Sequence, residues 1–212
     1  MKIILLGAPG AGKGTQAVVI SEKVGVPAIS TGNIIRAAIK TGTKTGLVAK
    51  EYVDAGKLVP DEVVIGIIKE RLQEDDCKGG YILDGFPRNI GQTEALEKMG
   101  IEIDLAINIE VPDEVVEERL GGRKMCEKCN AGYHTVSKPS LKGDACELCG
   151  GQLIVRNDDK PEVIRARLQT YHAETAPLMR YYQEKGKLRE VIGSEGIEET
   201  TASVMAVLGA VS

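Results

Sequence analysis

Gly7-Ala8-Pro9-Gly10-Ala11-Gly12-Lys13-Gly14-Thr15 follows the apolar run Ile3-Ile4-Leu5-Leu6, and this junction decides how the chain is read. A glycine-rich turn between a strand and a helix can aim its backbone N–H groups inward, and the helix N-terminus adds positive potential. Such a loop suits a nucleoside triphosphate: Gly10, Ala11, Gly12 and Gly14 cradle the phosphates, Lys13 reaches the β and γ groups, and Thr15 supplies a hydroxyl. A plain turn at a strand end would need neither the lysine nor the hydroxyl. The generic template places Ser or Thr directly after the lysine, whereas here Gly14 intervenes.

Outward from the loop, short apolar runs alternate with amphipathic stretches. Ile3 to Leu6, Tyr81 to Leu83, Leu105 to Val111 and Leu188 to Ile192 read as buried parallel strands. Pro60-Asp61-Glu62 and Pro112-Asp113-Glu114 each open a helix with acidic residues in its first turn. Pro161-Glu162 opens the longest helical stretch, to about Lys185, with Pro177 inside it as a kink or break. Alternation of this kind predicts an α/β fold with a parallel sheet covered on both faces. Two regions interrupt it. Residues 30–59 read as two short helices joined by Thr41-Gly42-Thr43, and residues 121–159 hold four cysteines. The core is then residues 1–29, 60–120 and 160–212.

With 212 residues the chain should bury roughly 70% of its unfolded surface, so it needs no metal for its main core. Lys plus Arg is 27 against 31 Asp plus Glu, a net charge of −4, which disfavours a nucleic-acid partner. One Phe, six Tyr and no Trp offer little for base stacking. No run of 18 apolar residues is present, and the first apolar run is too short for a signal peptide, so a membrane partner is not expected and a cytoplasmic location is.

Asp84-Gly85-Phe86-Pro87-Arg88 ends the second apolar run, with Gln92 four residues on. Asp84 is placed to hold a Mg²⁺-bound water, and Arg88 to clamp a phosphate with two parallel N–H bonds. The Gln92 amide, with its donor and acceptor, suits an adenine edge. A strand-end cap for Asp84 and a surface ion pair for Arg88 are the structural alternatives. Arg119 and Arg123 precede the cysteine region and Arg156, Arg165 and Arg167 follow it, a collar of the kind that a loose phosphoryl-transfer transition state requires. Arg165 reads instead as a surface charge paired with Glu162, and Asp158 and Asp159 as hinge partners for Arg123 or Arg156.

Cys126-x2-Cys129 and Cys146-x2-Cys149 have metal-knuckle spacing, each followed by a residue that tolerates positive φ, Asn130 or Gly150. Four thiolates close a tetrahedral Zn²⁺ shell, making the metal structural. Iron could occupy the same knuckles, while two disulfides sit poorly with a reducing compartment. Cys77, outside the set, reads as a buried or partly buried helix-end residue.

The pattern GxPGxGKGT resembles the phosphate loop of adenylate kinases and their nucleoside monophosphate kinase relatives. DGFPRxxxQ resembles a second motif of that family nearly letter for letter, and Thr31-Gly32-Asn33-Ile34-Ile35-Arg36 is similar to its TGDxxR segment, with Asn33 in place of the usual Asp. The likeness spans essentially the whole chain. It implies a P-loop NTPase core with helices on both faces, a small helical monophosphate-binding excursion at 30–59 and a zinc-ribbon lid at 121–159. It implies AMP contacts at Thr31, Arg36, Lys57, Leu58, Val59, Gly85, Phe86, Pro87, Arg88, Gln92, Arg156 and Arg167. ATP contacts are implied at the phosphate loop, Arg119, Arg123, Tyr133, His134 and Glu195. The implied reaction is ATP + AMP ⇌ 2 ADP with Mg²⁺, in a monomer, serving adenine nucleotide homeostasis, with Lys13, Arg88, Arg123, Arg156 and Arg167 as its catalytic groups. Both excursions would close over the substrates to exclude water. Three other readings compete: a UMP, CMP or GMP kinase, a nucleotide-switched zinc-ribbon binding module, and a phosphate-loop hydrolase.

Overall fold

A computed structural model of the chain describes residues 1–193 and 196–210. Its strands are β1 (Lys2–Leu6), β2 (Ala28–Ser30), β3 (Tyr81–Asp84), β4 (Leu105–Glu110), β5 (Arg123–Cys126), β6 (Gly132–His134), β7 (Leu153–Ile154) and β8 (Leu188–Ile192). Five of them form one parallel sheet in the order β2-β3-β1-β4-β8, and the other three form an antiparallel ribbon in the order β6-β5-β7. Because the chain starts at the sheet's centre and runs out to either side, β3 and β4 flank β1. Their C-terminal ends border the crevice where an open α/β sheet binds ligands.

Side-chain alternation builds both faces of the sheet. Ile3, Leu5, Leu105, Ile107 and Ile109 point to one face, covered by α1 (Lys13–Val24) and, at the far end of the chain, by the helix over Ile197–Gly209. Ile4, Leu6, Ile29, Leu83 and Ala106 point to the other. There they meet α2 (Thr31–Lys40), α3 (Lys44–Asp54), α4 (Asp61–Arg71) and α5 (Ile90–Lys98). Continuous apolar runs therefore encode strands buried on both sides. The edge strand β8 departs from the expected full burial, since Arg189, Glu190 and Ile192 are exposed. The other edge strand, β2, was not anticipated: three residues with one buried side chain, Ile29, carry too little periodicity to be recognised.

Residues 30–59 form the expected helix pair. Thr43 caps α3 by accepting from Gly46 N–H at 3.0 Å, and Gly46 lies so near α2 that a Cβ there would sit 2.1 Å from the Ala38 carbonyl oxygen. After α6 (Asp113–Gly121) the chain enters the ribbon and returns through a short 3₁₀ turn, Asn157–Asp159. The expected break near Pro177 takes the form of a widened π turn, Tyr171–Thr175, between α7 (Pro161–Thr170) and α8 (Pro177–Glu184). Proline has no N–H to donate, and the helix adapts with a five-residue step in which Ala176 N–H reaches the Tyr171 carbonyl at 2.9 Å. Among the described residues no helix is long and apolar enough to cross a membrane.

Candidate active site

The phosphate loop follows β1 and turns on glycines with positive φ, 133° at Gly7, 83° at Gly10 and 100° at Gly12. Gly7 has a second constraint, because a Cβ there would sit 2.4 Å from the Ile109 carbonyl oxygen on β4. Lys13 begins α1 and folds back across the loop, its Nζ donating to the Gly7 and Ala8 carbonyls at 2.7 Å each. Burial lowers its pKa to about 8; Asp84 opposes that shift, while Arg88, Arg167 and Arg123 add to it. Asp84 ends β3 and accepts from Ser30 Oγ at 3.2 Å. A Cβ on Gly14 would lie 3.4 Å from its Oδ2, so the carboxylate faces the start of α1.

Arg88 faces solvent in the cleft, and its Nε donates to the Gly85 carbonyl at 2.9 Å. The surrounding protein and nearby Arg167 push its pKa below the usual arginine value. The Arg88 N–H donates to Gln92 Oε1 at 2.7 Å, and Gln92 Nε2 donates to Asp61 Oδ1 at 2.7 Å. Gln92 is only 1% exposed, so its acceptor and one donor already serve the protein. Asp61 was legible only as a helix-start residue; its grip on Gln92 crosses 31 positions of sequence and leaves no local signal.

On the facing side, Arg36 of α2 donates to Asn33 Oδ1 at 2.8 Å and lies 3.7 Å from Asp158 Oδ2. Thr31 is 2% exposed, and its Oγ1 is buried without a hydrogen-bond partner among the described residues. Lys57, Leu58 and Val59 follow α3; Lys57 N–H bonds to the Tyr52 carbonyl at 2.9 Å and Val59 is buried. Gly85, Phe86 and Pro87 link β3 to Arg88, with Phe86 1% exposed.

The arginine collar is tied down by two acids. Arg123 grips Asp159 with two bonds, Nε to Oδ2 at 2.8 Å and Nη2 to Oδ1 at 2.5 Å. Arg167 Nη1 bonds to the Asp158 carbonyl at 2.8 Å and to Asp159 Oδ1 at 3.1 Å. Burial pushes the pKa values of Arg36, Arg156 and Arg167 down, yet a guanidinium remains charged at neutral pH. Burial alone would raise the Asp158 carboxyl, but Arg167, Arg36, Arg156 and Arg123 together hold it below the ordinary carboxylate value. Lys13, Arg36, Arg88, Arg123, Arg156 and Arg167 thus form a region of coupled positive charge, answered by Asp84, Asp158 and Asp159. The hinge pairing expected for Arg123 is present. Arg165 is a surface charge, but its partner is Glu117 at 3.5 Å instead of Glu162, because α6 packs alongside α7. Arg119 lies in the last turn of α6, and Glu195 is outside the described residues.

The ribbon gathers Cys126, Cys129, Cys146 and Cys149 with all four sulfurs within 4.8 Å of one another. Each knuckle closes alike, Asn130 N–H on the Cys126 carbonyl at 3.0 Å and Gly150 N–H on the Cys146 carbonyl at 2.9 Å. Asn130 and Gly150 take the expected positive φ, 58° and 69°. Four sulfurs at this spacing fit a tetrahedral Zn²⁺ shell. Tyr133 turns its hydroxyl into this cluster, 3.4 Å from Cys146 Sγ, and accepts from Glu147 N–H at 2.9 Å. His134 Nδ1 accepts from the Val136 and Ser137 N–H groups, while its Nε2 is buried without a partner. Lys40, ending α2, reaches the Glu127 carbonyl inside the first knuckle at 3.1 Å, so both excursions touch. Cys77 is buried as expected, with Arg71 Nη1 at 3.0 Å from its sulfur.

Comparison with known proteins agrees with this geometry. The family model described as adenylate kinase matches residues 5–187. The chain is 54% identical to the adenylate kinase of Caldicellulosiruptor saccharolyticus over 99% of both chains. It is 52% identical to that of Acetivibrio thermocellus, over 100% of this chain and 99% of the other. It is 51% identical to that of Methanosarcina mazei, over 98% of each.

Proposed function

The chain belongs to the adenylate kinase family and catalyses ATP + AMP = 2 ADP; from that premise we propose a direct in-line transfer inside the guanidinium collar. Lys13 and the amides of Gly10 to Thr15 hold the ATP phosphates. Arg36 and Arg88 hold the AMP phosphate, Thr31, Gln92 and residues 57–59 its nucleoside. Arg123, Arg156 and Arg167 surround the moving phosphoryl group, and Arg119, Tyr133 and His134 line the donor side. The observation that carries this reading is geometric: Arg123 and Arg167 share the Asp159 carboxylate, and Arg36 and Arg167 share that of Asp158, so guanidinium groups from three separate segments are gathered at one place. Positive charge fixed in advance around a loose transition state is the main catalytic requirement of phosphoryl transfer.

Mg²⁺, which the family uses with ATP, would be held through water by Asp84 and would neutralise phosphate charge. Zn²⁺ held by Cys126, Cys129, Cys146 and Cys149 would make residues 121–159 a rigid lid. That lid and residues 30–59 close over the core. The protein acts as a cytoplasmic monomer on small nucleotides, without nucleic-acid or membrane partners. The test of direct transfer is stereochemical. With ATP made chiral at the γ-phosphorus by oxygen isotopes and sulfur, a single in-line displacement inverts configuration, and net retention would overturn the reading in favour of a phosphoenzyme.

Lys13 gives a second expected outcome. Its pKa falls from 10.5 unfolded to about 8 folded, so burying the ammonium opposes folding below about pH 8, and that cost fades between pH 8 and 10.5. Bound phosphate favours the charged form, so above about pH 8 nucleotide binding takes up a proton. ATP affinity should therefore weaken by up to about tenfold per pH unit there. Titration calorimetry in buffers of different ionisation enthalpy should register the uptake in the native protein and not in Lys13→Arg. Affinity independent of pH between 8 and 9.5 would contradict the assignment.

A further inference from the structure

Thr175 lies in the π turn and is 7% exposed. Threonine in a helix ordinarily turns its hydroxyl back to a carbonyl one turn earlier, as Thr170 does with Ala166 at 2.9 Å. Thr175 instead sends its Oγ1 across to the Arg88 carbonyl, 87 positions away in sequence, at 2.7 Å. The Arg88 N–H is gripped on its other side by Gln92 Oε1 at 2.7 Å, and Gln92 is anchored to Asp61. Both polar groups of the Arg88 peptide backbone are thereby held from different elements. Its guanidinium is steered by the Gly85 carbonyl at 2.9 Å.

We propose that Thr175 is a positioning residue for Arg88, fixing the backbone from which that guanidinium reaches the acceptor phosphate. The π turn is part of the device. Pro177 prevents a regular α-helical path, and the turn is widened over the very residues that include Thr175. The same turn is tied to the start of α6 by His172 Nε2, 2.8 Å from Asp113 Oδ2. Its placement is thus set from two sides. A short O–H···O=C bond from a buried hydroxyl holds a loop closely, and small displacements of a phosphate-clamping group are costly to rate.

The proposal rests on the assignment of Arg88 to the acceptor phosphate, and a double-mutant cycle separates the two. Thr175→Val preserves shape but removes the donor. It should lower kcat/KM for AMP by about 10- to 100-fold and change the KM for ATP less than about twofold. Thr175→Ser should restore activity to within about threefold of native, since it returns the hydroxyl. In an Arg88→Ala background the Val substitution should change kcat/KM by less than about twofold, yet lower Tm as much as it does in the native protein. If the Val protein does not accumulate, Thr175→Ala serves the same cycle. Near-native kinetics for the donor-less variant, or an equal fractional loss in both backgrounds, would reduce Thr175 to a structural residue. Near-native kinetics for Arg88→Ala alone would overturn the Arg88 assignment, and this proposal with it.

Discussion

Arg88→Ala is expected to cut both kcat and kcat/KM for AMP by about 10³-fold or more while leaving ATP affinity within about threefold of native. The size follows from where the side chain sits. Arg88 opens into the cleft, where the surrounding protein and then the nearby Arg167 depress its pKa. A charge fixed in advance beside the reacting group stabilises a developing anion without having to reorganise around it. Its neighbour Arg167 is also a cation, so a phosphate that enters between them relieves repulsion as well as gaining attraction. Lysine should recover only a small part of the loss, because an ammonium cannot give two parallel N–H bonds to one phosphate. Steady-state rates with coupled ADP detection, read beside calorimetric ATP binding, decide the matter. A loss confined to the KM for AMP, with kcat unchanged, would mean that Arg88 binds ground state and transition state alike and does not stabilise transfer.

Removing metal from the four-cysteine site should lower the melting temperature of the lid by at least about 10 °C while sparing most activity in the cold. The reason is scale. The ribbon's own apolar cluster is Cys126, Tyr133, Cys146 and Leu153, two of them cysteines of the proposed metal site, packed against Ala131. A core that small cannot offset the ordering of residues 121–159 without a crosslink or a metal. The main sheet, by contrast, has two large clusters of its own. Calorimetry before and after chelation, with released zinc counted against chain, should show one equivalent lost and a new low-temperature transition. Cys126→Ser should reproduce it. Immediate loss of all activity near 10 °C would contradict a purely structural metal, and an unchanged melting profile would remove the metal from the account of the lid.

Local pattern carried much of this molecule. The phosphate loop, the Asp84 to Arg88 motif and the cysteine knuckles could be read because their chemistry is written in adjacent residue types at fixed spacing. The helix pair of residues 31–54 could be read from its turn residues Thr41, Gly42 and Thr43. What escaped was settled by packing. Strand β2 is short enough that the neighbouring β3, not its own periodicity, makes it a strand. Arg165 found Glu117 across the α6–α7 contact because that acid was presented nearer than Glu162. Gln92 was legible as an amide suited to a base edge, but its bonds to Arg88 and Asp61 link three segments that only the sheet brings together. The hydroxyl of Thr175 is the same kind of case.

Asp158 and Asp159, each nearly inaccessible, already occupy one edge of the guanidinium groups of Arg123 and Arg167. The aim of those forks is therefore chosen as the chain folds, and an arriving nucleotide has little side-chain wandering left to arrest. Two desolvated acids are a standing burden on the resting protein. Their counterpart is readiness within the forks, since closure has only to bring Arg123 to the nucleotides and not also to orient it, Asp159 having done so already.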